Sequence, residues 1–361
     1  MTIPTDLAAT RILIRSLSFE ELQQWLLEAG QPAFRARQIW QWIWQKNARS
    51  FEGMANLPKK LREQLHDHFS FDAVCIQDQQ HSLDGTIKLG FQLYDAHITE
   101  GVLIPSPQRD RMTACISSQV GCSLSCSFCA TGRLARKRNL SAGEIVDQVV
   151  LIDQLARTHY NRPLSNIVFM GMGEPLLNYR EVRRGIDRLT AEDGLGLSPR
   201  RITVSTAGIA KMIEKLGDDE VRFHLALSLH AADESKRSQI MPINESNSLE
   251  ALSGALMHFY RQTGQRIYYE YIVLHHFNDT EADARSLAQF ARITPCKINL
   301  IEYNPIEGGA FQKASQQRTD QFASWLRSRY NLVVNIRRSR GEDIDAACGQ
   351  LANKKHQAQV E

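Results

Sequence analysis

The chain has 361 residues, 43% of them hydrophobic and 23% charged, which is typical of a folded globular protein and excludes a disordered or fibrous chain. The first residues lack the apolar stretch of a signal peptide, and no apolar run is long enough to cross a bilayer. We therefore expect a cytoplasmic protein without membrane association. The net charge of +3 is too small to indicate a polyanionic partner by itself. In a reducing compartment, the seven cysteines are better explained as metal ligands or catalysts than as disulfides.

Basic residues are concentrated in three parts of the chain. Such clusters suit the phosphate backbone of a nucleic acid, but solvated helix faces carry similar charge, so the pattern alone leaves both interpretations open. The clusters are Arg35, Arg37, Lys46, Arg49, Lys59, Lys60 and Arg62, then Arg133, Arg136, Lys137 and Arg138, and finally Arg327, Arg329, Arg337, Arg338 and Arg340.

Residues 18–70 have the apolar spacing of amphipathic helices. Leu22, Trp25 and Leu26 recur at intervals of three and four residues, as one face of a helix requires. Ser18 followed by Glu21 matches a capping box, which begins a helix. We predict two or three short helices that form a small N-terminal domain, residues 1–70.

Residues 71–104 alternate polar and apolar side chains, which is typical of strands with one face on a core. The dipeptide Asp84-Gly85 is a tight-turn signal between two such strands. We predict a small antiparallel β extension, residues 71–110, with its boundary to the main domain near Pro105.

From residue 111 onwards, strand-like and helix-like segments alternate. This order is typical of an α/β fold with parallel strands and crossover helices, and barrels of this kind carry their chemistry at the carboxyl ends of the strands. Because glycine and polar motifs follow most of the strands, we expect one pocket at that end of a domain spanning residues 111–345. The predicted strands are 113–118, 166–171, 201–206, 222–229, 267–274, 297–302 and 332–336; the predicted helices are 142–157, 180–191, 208–217, 248–263, 280–291 and 316–330.

Three cysteines follow the first of these strands within one short loop. Cys122, Cys126 and Cys129 have the spacing C-x3-C-x2-C, and three thiolates can hold three corners of a cubane 4Fe-4S cluster while one iron stays open to a substrate. A structural zinc site normally has four ligands, and no histidine lies nearby in the sequence. Three inert buried thiols are the other alternative, which their crowding among glycine and serine disfavours.

The motifs around this loop resemble those of a known family. The cysteine spacing is the signature of the radical S-adenosylmethionine (SAM) superfamily. The segments CISSQVGCSLSCSFCATG, GMGEPLLN, SLHA, MPIN, INLIEYNP and RGEDIDAACGQL are similar to those of the RlmN/Cfr family of radical-SAM rRNA adenine methyltransferases. The resemblance covers nearly the whole chain. It implies an α/β fold with a partial (β/α)6 radical-SAM barrel, and both a 4Fe-4S cluster and SAM as cofactors.

The resemblance also implies catalytic roles. Carbons 2 and 8 of adenine are poor nucleophiles, so the family first transfers a methyl group from SAM to a cysteine and then delivers it to the base by a radical route. Cys348, in a C-terminal catalytic tail of residues 346–361, matches this methyl-carrying cysteine. Cys115 matches the cysteine that releases the product by forming a disulfide. Glu100 resembles the family's proton acceptor, with a surface carboxylate as the alternative.

The SAM contacts that the resemblance implies follow several of the predicted strands. A carboxylate, hydroxyls and an amide suit the ammonium, ribose and adenine groups of SAM. His230 could instead be a hydrogen-bonded core histidine, and the sequence leaves both roles open. The implied contact residues are Gly173, Glu174, Ser205, Ser228, Leu229, His230 and Asn304.

The implied substrate is an adenine of 23S rRNA in the peptidyl transferase region, and RlmN-type members also modify tRNA. Such looped targets allow a base to be carried into a pocket, and the N-terminal domain with the basic clusters becomes an RNA-binding platform. The motifs resemble the RlmN type, which modifies carbon 2, more than the Cfr type, which modifies carbon 8. We expect a monomer that is reduced by an electron donor such as flavodoxin.

Two other function classes compete with this interpretation. A radical-SAM activase or protein-modifying enzyme usually carries further cysteines for auxiliary clusters, and this chain lacks them. A non-catalytic RNA-binding protein on the same barrel is expected to lose one or more cluster cysteines, and all three are present.

Overall fold

The computed structural model of the protein describes residues 11–71, 74–106 and 110–353. Residues 1–10 of the predicted N-terminal domain and residues 354–361 of the predicted tail therefore lie outside the described residues. The helices are α1 (Phe19–Glu28), α2 (Phe34–Trp44), α3 (Lys59–His68), α4 (Ala142–Tyr160), α5 (Tyr179–Thr190), α6 (Ala210–Asp218), α7 (Glu234–Ile240), α8 (Leu249–Thr263), α9 (Glu281–Ala291) and α10 (Gln316–Ser328). The strands are β1 (Ile12–Leu13), β2 (Phe69–Ser70), β3 (Val74–His81), β4 (Ile87–Leu93), β5 (Ile98–Ser106), β6 (Arg111–Cys115), β7 (Gln119–Val120), β8 (Arg138–Asn139), β9 (Asn166–Phe169), β10 (Ile202–Thr206), β11 (His224–Ser228), β12 (Ile267–Val273), β13 (Cys296–Glu302) and β14 (Val334–Arg337).

The N-terminal region is helical, as predicted. Helix α1 begins at the predicted capping box, in which Ser18 Oγ accepts the Glu21 N–H at 3.1 Å and Glu21 Oε2 accepts the Ser18 N–H at 2.6 Å. The two bonds satisfy backbone donors that the first turn leaves unpaired. Helices α1 to α3 bury their apolar stripes in a hydrophobic core that continues into the strands and helices of the main domain.

The main domain is a sheet of parallel strands covered by crossover helices. Strands β6 and β9 to β14 pair in parallel order, and six strand–helix units precede β14. The predicted α/β architecture is therefore confirmed. The short helix α7 escaped prediction because only Arg237 and Ile240 of its seven residues are buried, which leaves no apolar periodicity to detect.

The predicted antiparallel segment is present but is not a separate sheet. Strands β3 to β5 extend the barrel sheet to ten strands, since β5 pairs antiparallel with β6 in the register Val102 to Cys115. A short connection allows antiparallel neighbours, whereas parallel neighbours need a long crossover. This pairing places β5, which carries Glu100, beside the strand that ends at Cys115. No helix within the described ranges is long and apolar enough to cross a membrane.

A buried ion pair joins the N-terminal region to the barrel. Arg15 and Asp147, which lies on α4, form this pair with exposed fractions of only 3% and 0%. The Arg15 guanidinium also donates to the carbonyls of Ile43 and Ala48, each at 3.2 Å. Arg49 lies 3.9 Å from the same carboxylate. The side chain of Arg15 therefore links three parts of the protein: its own segment before α1, the C-terminal end of α2, and α4 through the Asp147 carboxylate.

Removal of this guanidinium tests how strongly the two parts are coupled. We expect Arg15→Met to lower the free energy of unfolding by about 3 kcal/mol, because Asp147 stays buried without its main partner. The control Lys59→Met removes the exposed partner of Glu63, 3.8 Å away, and should cost less than about 1 kcal/mol. Urea denaturation followed by circular dichroism measures both, and equal losses would contradict the coupling.

Candidate active site

A tight loop after β6 carries the three clustered cysteines. Its ends are held by the β7–β8 pairing and by the Cys122 N–H, which donates to the Leu134 carbonyl at 3.1 Å. A side chain at Gly132 would place a Cβ 2.8 Å from the Cys126 carbonyl oxygen, and one at Gly121 (φ +74°) would clash with Ala135. Glycine at these two positions allows the loop to close around its cysteines.

The three thiols lie close together, half-buried against Leu124 and Phe128. Burial raises the pKa of the Cys122 thiol to about 11, and the nearby charges of Cys129 and Glu174 add to the rise. Burial also raises the pKa of Cys126 and of Cys129, and Cys126 is affected further by the other two cysteines. Three thiolates here are therefore costly unless a cation compensates their charge.

The donor set fits an iron–sulfur cluster better than a single ion. Among the residues that the structure describes, no three Cys, His, Asp or Glu side chains converge as ligands of one metal ion. In a cubane, each thiolate binds a different iron, so the sulfurs surround the cluster without meeting at one point. Three neighbouring thiols are the donor type that such a cluster requires, so these residues fit the group.

The GMGEP segment after β9 lies directly beside this loop. A Cβ on Gly173 (φ +93°) would lie 2.5 Å from the Gln119 side chain, so only glycine fits this close approach. Glu174 is buried, and its carboxylate accepts the N–H groups of Leu176 at 3.0 Å and Ala207 at 2.8 Å. Burial raises the pKa of Glu174. The carboxylate thus ties the loop after β9 to the loop after β10.

A buried arginine that sequence reasoning missed connects three more loops. Arg237 on α7 is fully buried and donates to the carbonyls of Ala207 at 2.6 Å and Leu229 at 3.2 Å, and to Asn244 Oδ1 at 2.5 Å. Burial lowers the pKa of Arg237 to about 10, and Cys126 opposes this decrease. An isolated arginine between the SLHA and MPIN segments gives no sequence signal of burial.

The predicted contacts after β10 and β11 converge on one place. Ser205 Oγ lies 3.2 Å from Ser228 Oγ on the neighbouring strand. Leu229 is fully buried, and its N–H and carbonyl are both hydrogen-bonded within the protein. His230 Nδ1 accepts the Ile272 N–H at 3.2 Å, its ring meets Phe128 edge-on at 4.8 Å, and burial lowers its pKa to about 3. His230 is therefore a neutral, hydrogen-bonded imidazole that contacts the cysteine loop.

The C-terminal tail folds over the mouth of the barrel and contacts the cysteine loop. The Ala130 N–H donates to the Gly349 carbonyl at 2.7 Å, and Thr131 Oγ1 donates to the Leu351 carbonyl at 2.6 Å. Asn304, which follows β13, donates from Nδ2 to the Cys348 carbonyl at 3.3 Å. These contacts bring Cys348 next to the cysteine loop.

Cys348 is exposed, whereas Cys115 is buried at the end of β6, and both thiols are free. Cys115 packs with Met172, Ala346 and Leu351, so the tail covers it. Burial raises the pKa of Cys115 to about 12, and the nearby Cys348 adds to the increase. The structure thus places the two predicted redox cysteines in one neighbourhood. Cys348 is a solvent-accessible residue of the tail whose pKa is nevertheless raised by the surrounding protein, and Cys115 lies beneath the tail.

Glu100 lies inside the protein, so the alternative of a surface carboxylate is wrong. Its exposed fraction is 5%, and Oε1 lies 2.9 Å from Lys88 Nζ. Oε2 accepts the backbone N–H groups of Ala352 at 2.8 Å and Asn353 at 3.1 Å. Antiparallel pairing of β5 with β6 carries the residue to this position, next to the tail.

The basic clusters differ in their availability to a partner. In the third cluster, Arg329, Arg337, Arg338 and Arg340 lie within ion-pair distance of carboxylates of the same chain, and Arg327 donates to the Val334 carbonyl. Arg37, Lys46 and Lys60 of the first cluster and Arg136 and Lys137 of the second are exposed. Lys59 is exposed but paired with Glu63, and the exposed Arg133 donates to the carbonyls of Glu307 and Gly308. Exposed cations therefore lie on the N-terminal region and beside the cysteine loop, while those of the third cluster, including the exposed Arg329 and Arg338, already have carboxylate partners.

Comparison with protein families gives two matches. The model described as "Ribosomal RNA large subunit methyltransferase N-terminal domain" matches residues 13–70. The model of the radical SAM superfamily matches residues 116–288. The two matched regions correspond to the N-terminal helices and to most of the barrel.

Whole-chain comparisons agree with the family matches. A protein of Cytophaga hutchinsonii named "Probable dual-specificity RNA methyltransferase RlmN" is 58% identical over 95% of this chain and 93% of its own length. The dual-specificity RNA methyltransferase RlmN of Nitratidesulfovibrio vulgaris (strain Miyazaki F) is 44% identical over 94% and 93%. The crystal structure of a radical SAM methyltransferase from Sphaerobacter thermophilus superposes with a TM-score of 0.89 at 40% identity, covering 94% of this chain and 99% of that chain. The chain therefore belongs to the RlmN family of radical-SAM dual-specificity RNA methyltransferases.

Proposed function

We propose that this RNA methyltransferase modifies carbon 2 of an adenine in 23S rRNA, and of an adenine in the tRNA anticodon loop, with Cys348 as the methyl carrier. One observation carries the proposal: the hydrogen bond from Ala130 to Gly349 holds the residue next to Cys348 against the cysteine loop at 2.7 Å. The preference for carbon 2 over carbon 8 rests on the RlmN names of the relatives and on the motifs. Mass spectrometry of RNA nucleosides distinguishes the two products.

In this proposal, Cys122, Cys126 and Cys129 would hold a 4Fe-4S cluster beside the residues that are proposed to bind SAM. When bound, the cluster and SAM supply a reducing electron, the methyl group and the 5′-deoxyadenosyl group. The paired hydroxyls of Ser205 and Ser228 and the backbone at Gly173 suit the polar groups of SAM. The remaining proposed contacts are the carboxylate of Glu174, the neutral His230, the amide of Asn304 and Leu229, which is restricted to apolar contact by its burial.

The exposed and buried cysteines suit different steps of the proposed sequence. The exposed Cys348 thiol can receive a methyl group from SAM by displacement, and its position on the tail lets it present that group to a base entering the mouth. Cys115, covered by the tail, is shielded until the methyl carrier is joined to RNA. Once its thiol has lost a proton, the Cys115 sulfur can then attack the Cys348 sulfur to form a disulfide. The bond between the Cys348 sulfur and the carbon attached to the base breaks, and this carbon keeps the electron pair and takes up a proton, which releases the methylated base. Glu100 is the proposed proton acceptor, which requires it to reach the base proton.

The proposed division of labour follows the predicted domains. Residues 1–70 bind RNA, residues 71–110 carry Glu100, residues 111–345 form the barrel, and residues 346–361 form the catalytic tail. The family model for residues 13–70 and the exposed cations of that region support the first assignment. The proposal includes a cytoplasmic monomer reduced by an external donor such as flavodoxin, because a cluster that gives one electron to SAM must be supplied with electrons from outside.

Removal of a cluster ligand should abolish iron binding and methylation together. We expect Cys126→Ala, purified and reconstituted without oxygen, to lose most of its iron and its visible thiolate-to-iron absorbance, because two thiolates hold a cubane poorly. Iron analysis and absorbance spectra measure this directly. The control Cys75→Ala changes a half-buried thiol on β3, away from the loop, and should keep full iron content. Unchanged iron content in Cys126→Ala would remove the cluster from the proposal.

The two redox cysteines should give opposite defects. We expect Cys348→Ala to leave the C-terminal peptide without the mass of a methyl group and to reduce RNA methylation to background. Cys115→Ala should accept the methyl group but accumulate a covalent protein–RNA adduct, seen as a slow gel band that nuclease collapses, because the releasing thiolate is missing. Full RNA methylation by either variant would contradict the proposed roles.

The exposed cations beside the cysteine loop should contribute to RNA binding. We expect the double variant Arg136→Ala/Lys137→Ala to weaken RNA binding and to reduce the slope of log K against log salt by about one to two, because each cation contacts about one phosphate. Filter binding over a salt series measures the slope. Lys211→Ala, which removes an exposed cation from α6, serves as the control, and equal slopes in the two variants would contradict the assignment.

A further inference from the structure

Strand β4 contains a lysine in an otherwise buried position. Lys88 is 6% exposed, and its neighbours Ile87 and Leu89 are buried in the core. Its Nζ lies 2.9 Å from Oε1 of the equally buried Glu100. Burial of such a pair costs about as much desolvation energy as its attraction returns, so an apolar pair of similar size would stabilise the sheet as well. Stability alone therefore does not explain a lysine at this place.

The other carboxylate oxygen of Glu100 holds the C-terminal tail. Oε2 accepts two consecutive backbone N–H groups, from Ala352 at 2.8 Å and from Asn353 at 3.1 Å. The Asn353 side chain adds a bond from Nδ2 to the Ile98 carbonyl at 2.8 Å, on the same strand as Glu100. Backbone N–H groups that face an ionised carboxylate make stronger hydrogen bonds than those that face a neutral acceptor.

The tail is consequently fixed on both sides of the segment that follows Cys348. On one side, the cysteine loop binds the Gly349 and Leu351 carbonyls. On the other, Glu100 binds the Ala352 and Asn353 amides. With both carbonyls and amides of this short stretch held, the position of Cys348 depends on how firmly the Glu100 carboxylate is itself oriented.

We propose that Lys88 is a positioning residue for the methyl-carrying tail: its ammonium orients the Glu100 carboxylate, which in turn anchors the backbone just beyond Cys348. The inference rests on the proposed function only in taking Cys348 as the methyl carrier. Because Oε2 already accepts two N–H groups, an incoming base proton can reach Glu100 in this arrangement only through Oε1, next to Lys88. Lys88 thus contacts the oxygen that is left for the proposed acid–base role, while the other oxygen of the same carboxylate anchors the tail.

Hydrogen exchange on the full-length protein tests the anchor without reference to activity. We expect Lys88→Met to accelerate exchange of the Ala352 and Asn353 amides about ten-fold or more, because their acceptor loses its fixed orientation. Lys88→Arg should restore most of the protection. Lys313→Met removes a lysine paired with Glu342 at 2.9 Å, upstream of the tail anchor, and should leave these amides unchanged.

Hydrogen exchange of the backbone amides that pair β4 with β5 shows whether Lys88 positions the tail or only stabilises the sheet. If they accelerate as much as the tail amides in Lys88→Met, or if the tail amides do not accelerate, the inference is overturned. Should Lys88→Met fold poorly, the double variant Lys88→Met/Glu100→Leu replaces the pair by apolar side chains. It should keep the ladder protected while its tail amides exchange about ten-fold or more faster than in the unmodified protein, and protected tail amides there would equally overturn the inference.

Methylation assays connect the anchor to the reaction. With the tail loosened, we expect kcat for RNA methylation to fall about ten-fold or more while KM for RNA changes little, because the misplaced group is the carrier and not an RNA contact. An increase in KM alone would count against positioning. A separate measurement, mass spectrometry of Cys348 in the wild-type protein, tests the proposed function. A missing S-methyl group there would refute that function, whereas the hydrogen-exchange data would still decide whether Lys88 anchors the tail.

Discussion

Two hydrogen bonds between the cysteine loop and the C-terminal tail are the contacts on which the site depends. Ala130 and Thr131 bind the carbonyls of Gly349 and Leu351, and 220 residues separate Thr131 from Leu351. Contacts between such distant segments require the intervening chain to be ordered, which costs conformational entropy. The thiols of the loop and of the tail are therefore brought together by the tertiary fold and not by closeness in the sequence.

The continuous ten-stranded sheet explains why the antiparallel segment belongs to the site. Pairing of β5 with β6 sets Val102 opposite Cys115, and Ser117 Oγ donates to the Glu100 carbonyl at 2.6 Å while also accepting the Met172 N–H. Thus the strand of Glu100, the end of β6 and the GMGEP segment share one serine. A change in register by one residue would turn Glu100 to the opposite face of the sheet and remove its contact with the tail.

The sequence predicted the strands and helices of this protein better than it predicted which charged residues are buried. Periodicity found each barrel strand within a few residues, because the strands are buried and flanked by turn signals. Hydropathy patterns place lysine and arginine on the surface. Such patterns could not predict that Lys88 and Arg237 are buried, because their burial depends on partners remote in sequence. The closeness of Cys115 to Cys348 likewise followed from family resemblance, since no spacing rule joins residues so far apart.

The buried positive charge of Arg237 lies beside the cysteine loop and needs negative charge nearby to offset its burial. A fully buried guanidinium is normally paired with a carboxylate, yet its three hydrogen bonds end on the neutral acceptors Ala207, Leu229 and Asn244. The groups whose negative charge would favour the guanidinium are Glu234 and, once ionised, Cys126. Burial raises the pKa of Cys126, and Arg237 opposes that rise. A thiolate-ligated cluster bears net negative charge, so cluster and arginine would each offset part of the cost of burying the other.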